Sequence, residues 1–225
     1  VISYERQLEE ALDYYKNHDV CYIKTGYVGH GQNIKRIDEN GDTQLEWHHG
    51  QYMVRHYRKV TEEAARRKIM LCVHEPIHDS GIRRTWPNLL SREGARGQEF
   101  NAWGPNGGNP VDHTVLLAYT RMLSGPMDYT PGIFDLLYEK AKPDNRVSST
   151  LAHQLALYVV LYSPVQMLPD LPKNYEARPD AFQFLLDVPV DWNSTKGLAG
   201  EIGEYIVIAR QDRNSTDWYL GAITN

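Results

Sequence analysis

The stretch IMLCVHEPIHDSGIRRTWPNLLSREGARGQE, residues 69–99, decides how this chain is read. It opens on an apolar run, Ile69 to Val73, of the length and composition of a buried strand. The run passes at once into a polar loop that carries His74, Glu75, His78, Asp79, Glu93 and Glu99. A strand whose C-terminal end opens into a carboxylate-rich loop is how a (β/α)8 barrel builds its catalytic face. The chemistry expected there is acid/base work by carboxylates.

His74 to His78 also spells H-E-x-x-H, the zinc-protease pattern. That pattern works on a helix, where positions i and i+4 share a face and both imidazoles reach one zinc ion. In this chain an apolar strand precedes it, Pro76 biases Glu75 away from the helical region, and Asp79-Ser80-Gly81 continues as a turn. The spacing is present without the helix it needs.

Composition sets outer bounds. Among 225 residues, 29 acidic against 24 basic side chains give a net charge of −5, so no basic excess points to nucleic acid. No apolar run approaches the roughly 18 residues of a membrane span. The opening VISYERQLEEALDYYKNHD is charged and helical in period, with neither an initiator Met nor a signal peptide, as expected of a mature product, a partial gene or an excised piece. Cys21 and Cys72 sit in apolar strand-like runs and are expected to be buried free thiols.

Helix and strand periods alternate through most of the chain. Tyr4 to Asn17 reads as an amphipathic helix with Leu8, Ala11, Leu12 and Tyr15 on one stripe, and Val20 to Lys24 as a strand followed by Gly26, Gly29 and Gly31. IKRIDENGDT, residues 34–43, looks like a polar insertion around Asn40-Gly41, and Gln51 to Lys68 like the next helix. From Asp79 to Asp112 a Gly-, Asn- and Pro-rich stretch is expected to be a functional loop, with a short strand over Gln98 to Phe100. Val115 to Leu123 fits helix or strand. Ser149 is the expected N-cap of a helix from Thr150 to Tyr162, Val165 to Leu168 a short strand, and Pro179 to Val188 a further helix. From Asp191 the pattern becomes β-only, with strands at Glu204–Arg210 and Trp218–Ile223.

The fold expected is therefore α/β: the C-terminal part of a (β/α)8 TIM barrel over residues 1–190, then the start of an antiparallel β-sandwich over 191–225. About four or five strand candidates fall short of the eight that close a barrel.

Six motifs carry a resemblance. GYVGHG (26–31), EWHHGQYM (46–53), HEPIHDSGIRRTWPN (74–88), EGARGQEF (93–100), GPMDYTPGIF (125–134) and LALYVVLYSPVQMLPDLPKNYE (155–176) together resemble glycoside hydrolase family 97, in the family's order and over nearly the whole chain. These are α-glucosidases and α-galactosidases of bacterial starch-utilisation systems. The resemblance implies an N-terminal β-sandwich, a catalytic barrel and a C-terminal β domain, with this chain running from mid-barrel into the last. It also implies an oligosaccharide substrate of α-glucosidic type, no nucleic acid or membrane partner, a periplasmic location, and dependence on an N-terminal portion of the same enzyme.

In the inverting members the general acid is the last Glu of E-x-x-x-x-x-E, which falls on Glu99. A general base is the Glu of the strand-end H-E, which falls on Glu75. Calcium (Ca2+) is held by Glu75, Glu99 and the first Glu of the longer motif, Glu93, while a second base and one more ligand lie upstream. An inverting hydrolase needs two carboxyl groups about 6.5–9.5 Å apart with water between them. Carboxylate oxygens suit a hard cation such as calcium better than zinc.

Retaining members carry an Asp nucleophile at the end of the strand that in this chain reads Tyr22-Ile23-Lys24-Thr25-Gly26, with Gly26 at that position. Inversion and α-glucosidase activity are therefore expected, with a retaining α-galactosidase or a non-catalytic carbohydrate-binding fragment as alternatives. For substrate contacts the candidates are His74, Arg84, Trp86, His48, His49 and Asp128, with loop capping open for the histidine pair and packing open for Trp86. Trp192 and Trp218 are expected to pack the β domain, and Tyr158 and Tyr162 the core.

Overall fold

The computed structural model describes residues 2–27, 34–138 and 142–225. The chain divides into two compact units, Val1–Gly94 and Ala95–Asn225. Gly29 and Gly31 lie outside the described residues.

The first unit is built on helix α1 (Ile2–Asn17), strand β1 (Tyr22–Thr25), strands β2 (Ile34–Ile37) and β3 (Thr43–Glu46), helix α2 (Gln51–Arg66), strand β4 (Met70–Val73) and strand β5 (Leu89–Arg92). β1, β4 and β5 form a parallel sheet in that order. β4 is central and reads Met-Leu-Cys-Val, with its last three side chains buried, as a strand covered on both faces should be. Met53, Tyr57, Val60 and Ala64 recur along α2 at helical spacing and pack with Leu8 and Leu12 of α1 against Ile69, Leu71, Val73 and Leu89. Full burial of such side chains is worth about 1.5–3 kcal/mol each, against a few tenths for intrinsic helix preference, so this packing holds the helices in place. Arg67 ties the helices at their far ends, pairing with Asp13 at 2.7 Å and Glu63 at 2.7 Å.

Two local expectations do not hold in this unit. The polar segment 34–43 forms most of the antiparallel hairpin β2–β3, where the sequence pattern shows only a turn. Its turn is fixed by Asp38, whose carboxylate accepts from the amides of Asn40 (3.0 Å) and Asp42 (2.9 Å), and by Gly41 at φ +88°. The hairpin is polar because little of it is buried, so it lacks the alternation that marks a strand. β5 was hidden for a different reason: Leu-Leu-Ser-Arg is short and half polar. Between β4 and β5 the chain makes only one 3-10 turn, Ile82–Arg84, where a longer helix is usual.

The second unit contains helices α3 (Phe100–Trp103), α4 (His113–Tyr119), α5 (Leu151–Val160), α6 (Pro172–Glu176) and α7 (Pro179–Asp187), followed by strands β6 (Trp192–Glu201), β7 (Tyr205–Asp212) and β8 (Trp218–Thr224) in an antiparallel sheet. α5 is its axis: Leu157, Val160 and Leu161 meet Val115, Met127, Ile206 and Ile223, while Tyr158 and Val159 meet Tyr175, Leu185 and Trp192. Buried Arg210 sews the sheet to the C-terminal end of α5, donating to the carbonyls of Val159 (2.6 Å) and Val160 (3.4 Å) and to Thr195 Oγ1 (2.7 Å). Gly221 allows this approach, since a Cβ there would lie 2.8 Å from Val159 Cβ.

Several expectations change in this unit. Gln98 to Phe100 is a turn leading into α3, the Phe100 amide bonding back to the Gly97 carbonyl (3.3 Å) and the Asn101 amide to the Gln98 carbonyl (3.1 Å). The ambiguous run from Val115 is helical and ends in a 3-10 turn. Thr150, not Ser149, caps α5: Thr150 Oγ1 accepts from the His153 amide at 3.2 Å, whereas Ser149 Oγ accepts from Gln154 at 3.0 Å. Val165 to Leu168 pairs with no strand among the described residues; its Met167 carbonyl accepts from the Tyr158 hydroxyl at 2.7 Å. β6 was unmarked because Lys196, Gly197 and Gly200 interrupt its pattern. In the first unit, Cys72 is buried as expected, but Cys21 is exposed. Trp192 is buried, whereas Trp218 is exposed and lies under the Lys196 ammonium at 4.6 Å. No helix among the described residues is long and apolar enough to cross a membrane.

Candidate active site

The parallel register places the functional side chains of the first unit. Thr25 pairs with Val73, and Val73 with Arg92, so the next residues, Gly26, His74 and Glu93, stand side by side at the C-terminal ends of β1, β4 and β5. The ladder continues past the strands, the His74 amide donating to Thr25 O at 2.7 Å and the Glu93 amide to Val73 O at 2.9 Å. In open and closed parallel sheets alike, this edge is where ligands bind.

His74 is buried, with Nδ1 3.5 Å from Glu93 Oε2. Glu75 follows in the left-handed region, φ +43°, a conformation an L-residue adopts only when its surroundings hold it there. Three contacts do so. Its amide faces Glu93 Oε2 at 3.4 Å, its carbonyl accepts from the Tyr57 hydroxyl, and its carboxylate Oε2 accepts from the Tyr27 amide at 2.9 Å. Asp79 then binds the loop that leaves Glu75 to the strand that leads to Glu93. Its carboxylate accepts from the Gly81 amide (2.9 Å) and pairs with Arg83 (2.7 Å) and buried Arg92 (3.1 Å), and the amide and two cations hold it below the usual carboxylate range despite desolvation by burial.

Gly26 has no side chain for a steric reason. A Cβ built on it would sit 2.8 Å from His74 Cβ and collide with the Glu75 carboxylate. The space at this end of β1 is filled by side chains that follow the neighbouring strand β4.

The other candidates of this unit lie farther along. His48 is buried and packs edge-on to Tyr57 at 6.0 Å, and His49 stacks on His78 at 4.4 Å. The Nδ1 atoms of both are buried with no hydrogen-bond partner among the described residues. Burial, with His78 and His48 adding, keeps His49 below the usual imidazole range. Arg84 is exposed on the 3-10 turn. Trp86 lines a cavity of about 430 Å³ with Val54, Tyr57, Ile77, His78 and Arg92, and neither Glu75 nor Glu93 is in its wall.

In the second unit Glu99 is exposed at the start of α3 and does not cap it. Its position is fixed by its neighbour: buried Gln98 donates its amide to Tyr129 and its side chain to Gln154 at 2.6 Å. The same bond lays residues 97–99 beside Met127–Tyr129, in whose middle Asp128 is buried. Glu99 and Asp128 therefore occupy adjacent segments.

At neighbouring strand ends the His74 imidazole and the Glu93 carboxylate lie 3.5 Å apart, and a carboxylate oxygen is the kind of donor a hard divalent cation takes. In the sequence Glu75 stands out as a polar residue after a strand, and Glu93 through the E-x-x-x-x-x-E motif of the resemblance. Tyr27, Tyr57 and His56 carry no such signal, because their contacts with Glu75 and Glu5 join segments distant in sequence.

A family model described as glycoside hydrolase 97 matches residues 2–95, and one described as the C-terminal, oligomerisation part of the same hydrolases matches 191–225. A Bacteroides thetaiotaomicron protein named retaining alpha-galactosidase is 37% identical over 171 residues, which is 74% of this chain and 26% of that protein. A glycoside hydrolase family 97 enzyme from Pseudoalteromonas sp. strain K8, solved in complex with acarbose, is 55% identical with a TM-score of 0.94 over 100% of this chain and 35% of its own. A single-substitution variant of that enzyme, solved with panose, superposes with a TM-score of 0.93 over 99% of this chain. The chain thus spans about a quarter of the curated relative and about a third of the solved enzyme. With two models of one family on its two ends, and that family's fold followed from end to end, the chain belongs to glycoside hydrolase family 97.

Proposed function

We propose that this chain forms part of an inverting, calcium-dependent α-glucosidase, with β1, β4 and β5 as an arc of its (β/α)8 barrel. The observation that carries it is Gly26. A retaining glycosidase needs a carboxylate nucleophile close to the anomeric carbon. At the position where the family's retaining members place it, this chain has no side chain and no room for a Cβ beside His74 and Glu75. A single-displacement route remains, in which Glu75 takes a proton from the attacking water and Glu99 gives one to the glycosidic oxygen. Calcium, held by Glu75, Glu93 and Glu99, would orient carboxylates and bind sugar hydroxyls. His74 would donate a hydrogen bond to a sugar hydroxyl, its ring steadied by Glu93.

The glucose preference draws support from acarbose and panose, both built on α-linked glucose-type rings, in the enzyme that is 55% identical. The second reading is a retaining α-galactosidase, favoured by the name of the relative that is 37% identical. The resemblance that suggests calcium also suggests a periplasmic location. The test compares an α-glucoside with an α-galactoside in the enzyme that contains this chain, before and after chelation. Expected are preference for the glucoside, loss of turnover in chelator and recovery on adding calcium. Preference for the galactoside would favour the second reading, and indifference to chelation would remove calcium from the first.

A further inference from the structure

Behind Glu75 runs a chain of hydrogen bonds that the proposed chemistry does not itself use. His56, on the core face of α2, has a fully buried side chain; its Nδ1 lies 3.2 Å from Glu5 Oε1 on α1. Its Nε2 meets the Tyr27 hydroxyl, and the Glu5 carboxylate also accepts from Tyr52. Tyr27 in turn gives its amide to Glu75 Oε2 at 2.9 Å.

The direction of each bond is determined. Glu5 is an acceptor only, so His56 donates from Nδ1, and a neutral imidazole must then accept at Nε2. Burial holds His56 below the usual imidazole range, and a phenol keeps its proton at neutral pH, so the Tyr27 hydroxyl donates to Nε2. The Tyr27 ring is also packed edge-on by His56 at 5.3 Å and by Tyr57 at 5.6 Å. Tyr57 is the residue that holds the Glu75 carbonyl. Tyr27 and Tyr57 therefore fix both the carboxylate and the backbone of a residue in a left-handed conformation.

We propose that His56 is a positioning residue for Glu75, acting through Tyr27: it anchors the phenol ring, which aims the Tyr27 amide at the carboxylate. This rests on Glu75 being the general base. The anchoring is directional and buried, and Glu5 on a different helix sets its tautomer, so it is more specific than core packing.

The test uses the enzyme that contains this chain. Tyr27→Phe deletes only the hydroxyl, and His56→Asn keeps a donor for Glu5 while withdrawing from Tyr27. Each should lower kcat by about 10- to 100-fold with KM changed by about two-fold or less, the signature of a misplaced catalytic group. The double variant should be no worse than the poorer single one. The loss should be the same on α-glucosyl fluoride, whose leaving group needs no general acid but whose attacking water still needs a base. An unchanged kcat in Tyr27→Phe, fully additive losses, or a loss that vanishes on the fluoride would each overturn the proposal. Glu75→Gln in the same assay separates the two levels: wild-type turnover there would remove the base assignment itself, whereas its collapse alongside an unaffected Tyr27→Phe would remove the positioning role alone.

Discussion

Replacing Gly26 with aspartate is expected to abolish hydrolysis and not to produce a retaining enzyme. The substitution puts a carboxylate at the strand end where the proposed reading excludes a nucleophile. It has to enter a space already occupied by His74 Cβ, 2.8 Å from where its own Cβ must go, and by the Glu75 carboxylate. Real Cβ atoms do not approach that closely, so either β1 shifts from β4 or Glu75 is expelled from its contact with the Tyr27 amide. Displacing a general base costs about 10²- to 10⁴-fold in rate. The measurement is kcat on an α-glucoside together with mass spectrometry after a slow fluorosugar. The expected outcome is a collapsed rate with no covalent adduct; an adduct on Asp at position 26 would show that the site accommodates a nucleophile and that Gly26 does not exclude the retaining route. Gly26→Ala is a milder form of the same test, adding the methyl without the charge.

Glu75→Gln should have the second large effect. Glutamine keeps an oxygen to accept from the Tyr27 amide and a backbone that can still be gripped by Tyr57, so thermal stability should hardly move. What it loses is the capacity to take a proton from water, and kcat should fall by about 10²- to 10⁴-fold. The fall should persist on α-glucosyl fluoride. Glu99→Gln, which removes the acid, should by contrast recover most of its rate on that substrate. Persistence for one variant and recovery for the other would assign base and acid without reference to any relative; recovery in both would mean that Glu75 is not the base.

Much of this was legible in the sequence because it depends on short-range pattern. Met70–Val73 is a central parallel strand and reads as an uninterrupted apolar run; α2 is amphipathic and reads as one. Glu75 is legible because a polar residue directly after a parallel strand faces the ligand edge, whereas Glu93 is marked only by the E-x-x-x-x-x-E motif of the resemblance. What stayed hidden is set by contacts distant in sequence. β5 is four residues long and takes its identity from pairing with β4. The hairpin β2–β3 is exposed, so burial imposed no alternation on it. Gln98 looked like a strand residue, but the partner of its amide is the Tyr129 carbonyl in a loop. Tyr27, His56 and Glu5 are separated by long stretches of chain, and only the packing of α1, α2 and β1 makes them one hydrogen-bonded series. The sequence shows only that position 26 is glycine; that a Cβ cannot fit there is visible only when β1 and β4 are side by side.

The most direct test is the configuration of the sugar at the moment of its release, followed by proton NMR during the first minutes of α-glucoside hydrolysis by the enzyme that contains this chain. A single displacement with Glu75 as base predicts that β-glucose appears first and mutarotates to the equilibrium mixture. If α-glucose appears first, a covalent intermediate has formed, which contradicts both the exclusion of a nucleophile at Gly26 and single displacement with Glu75 as its base.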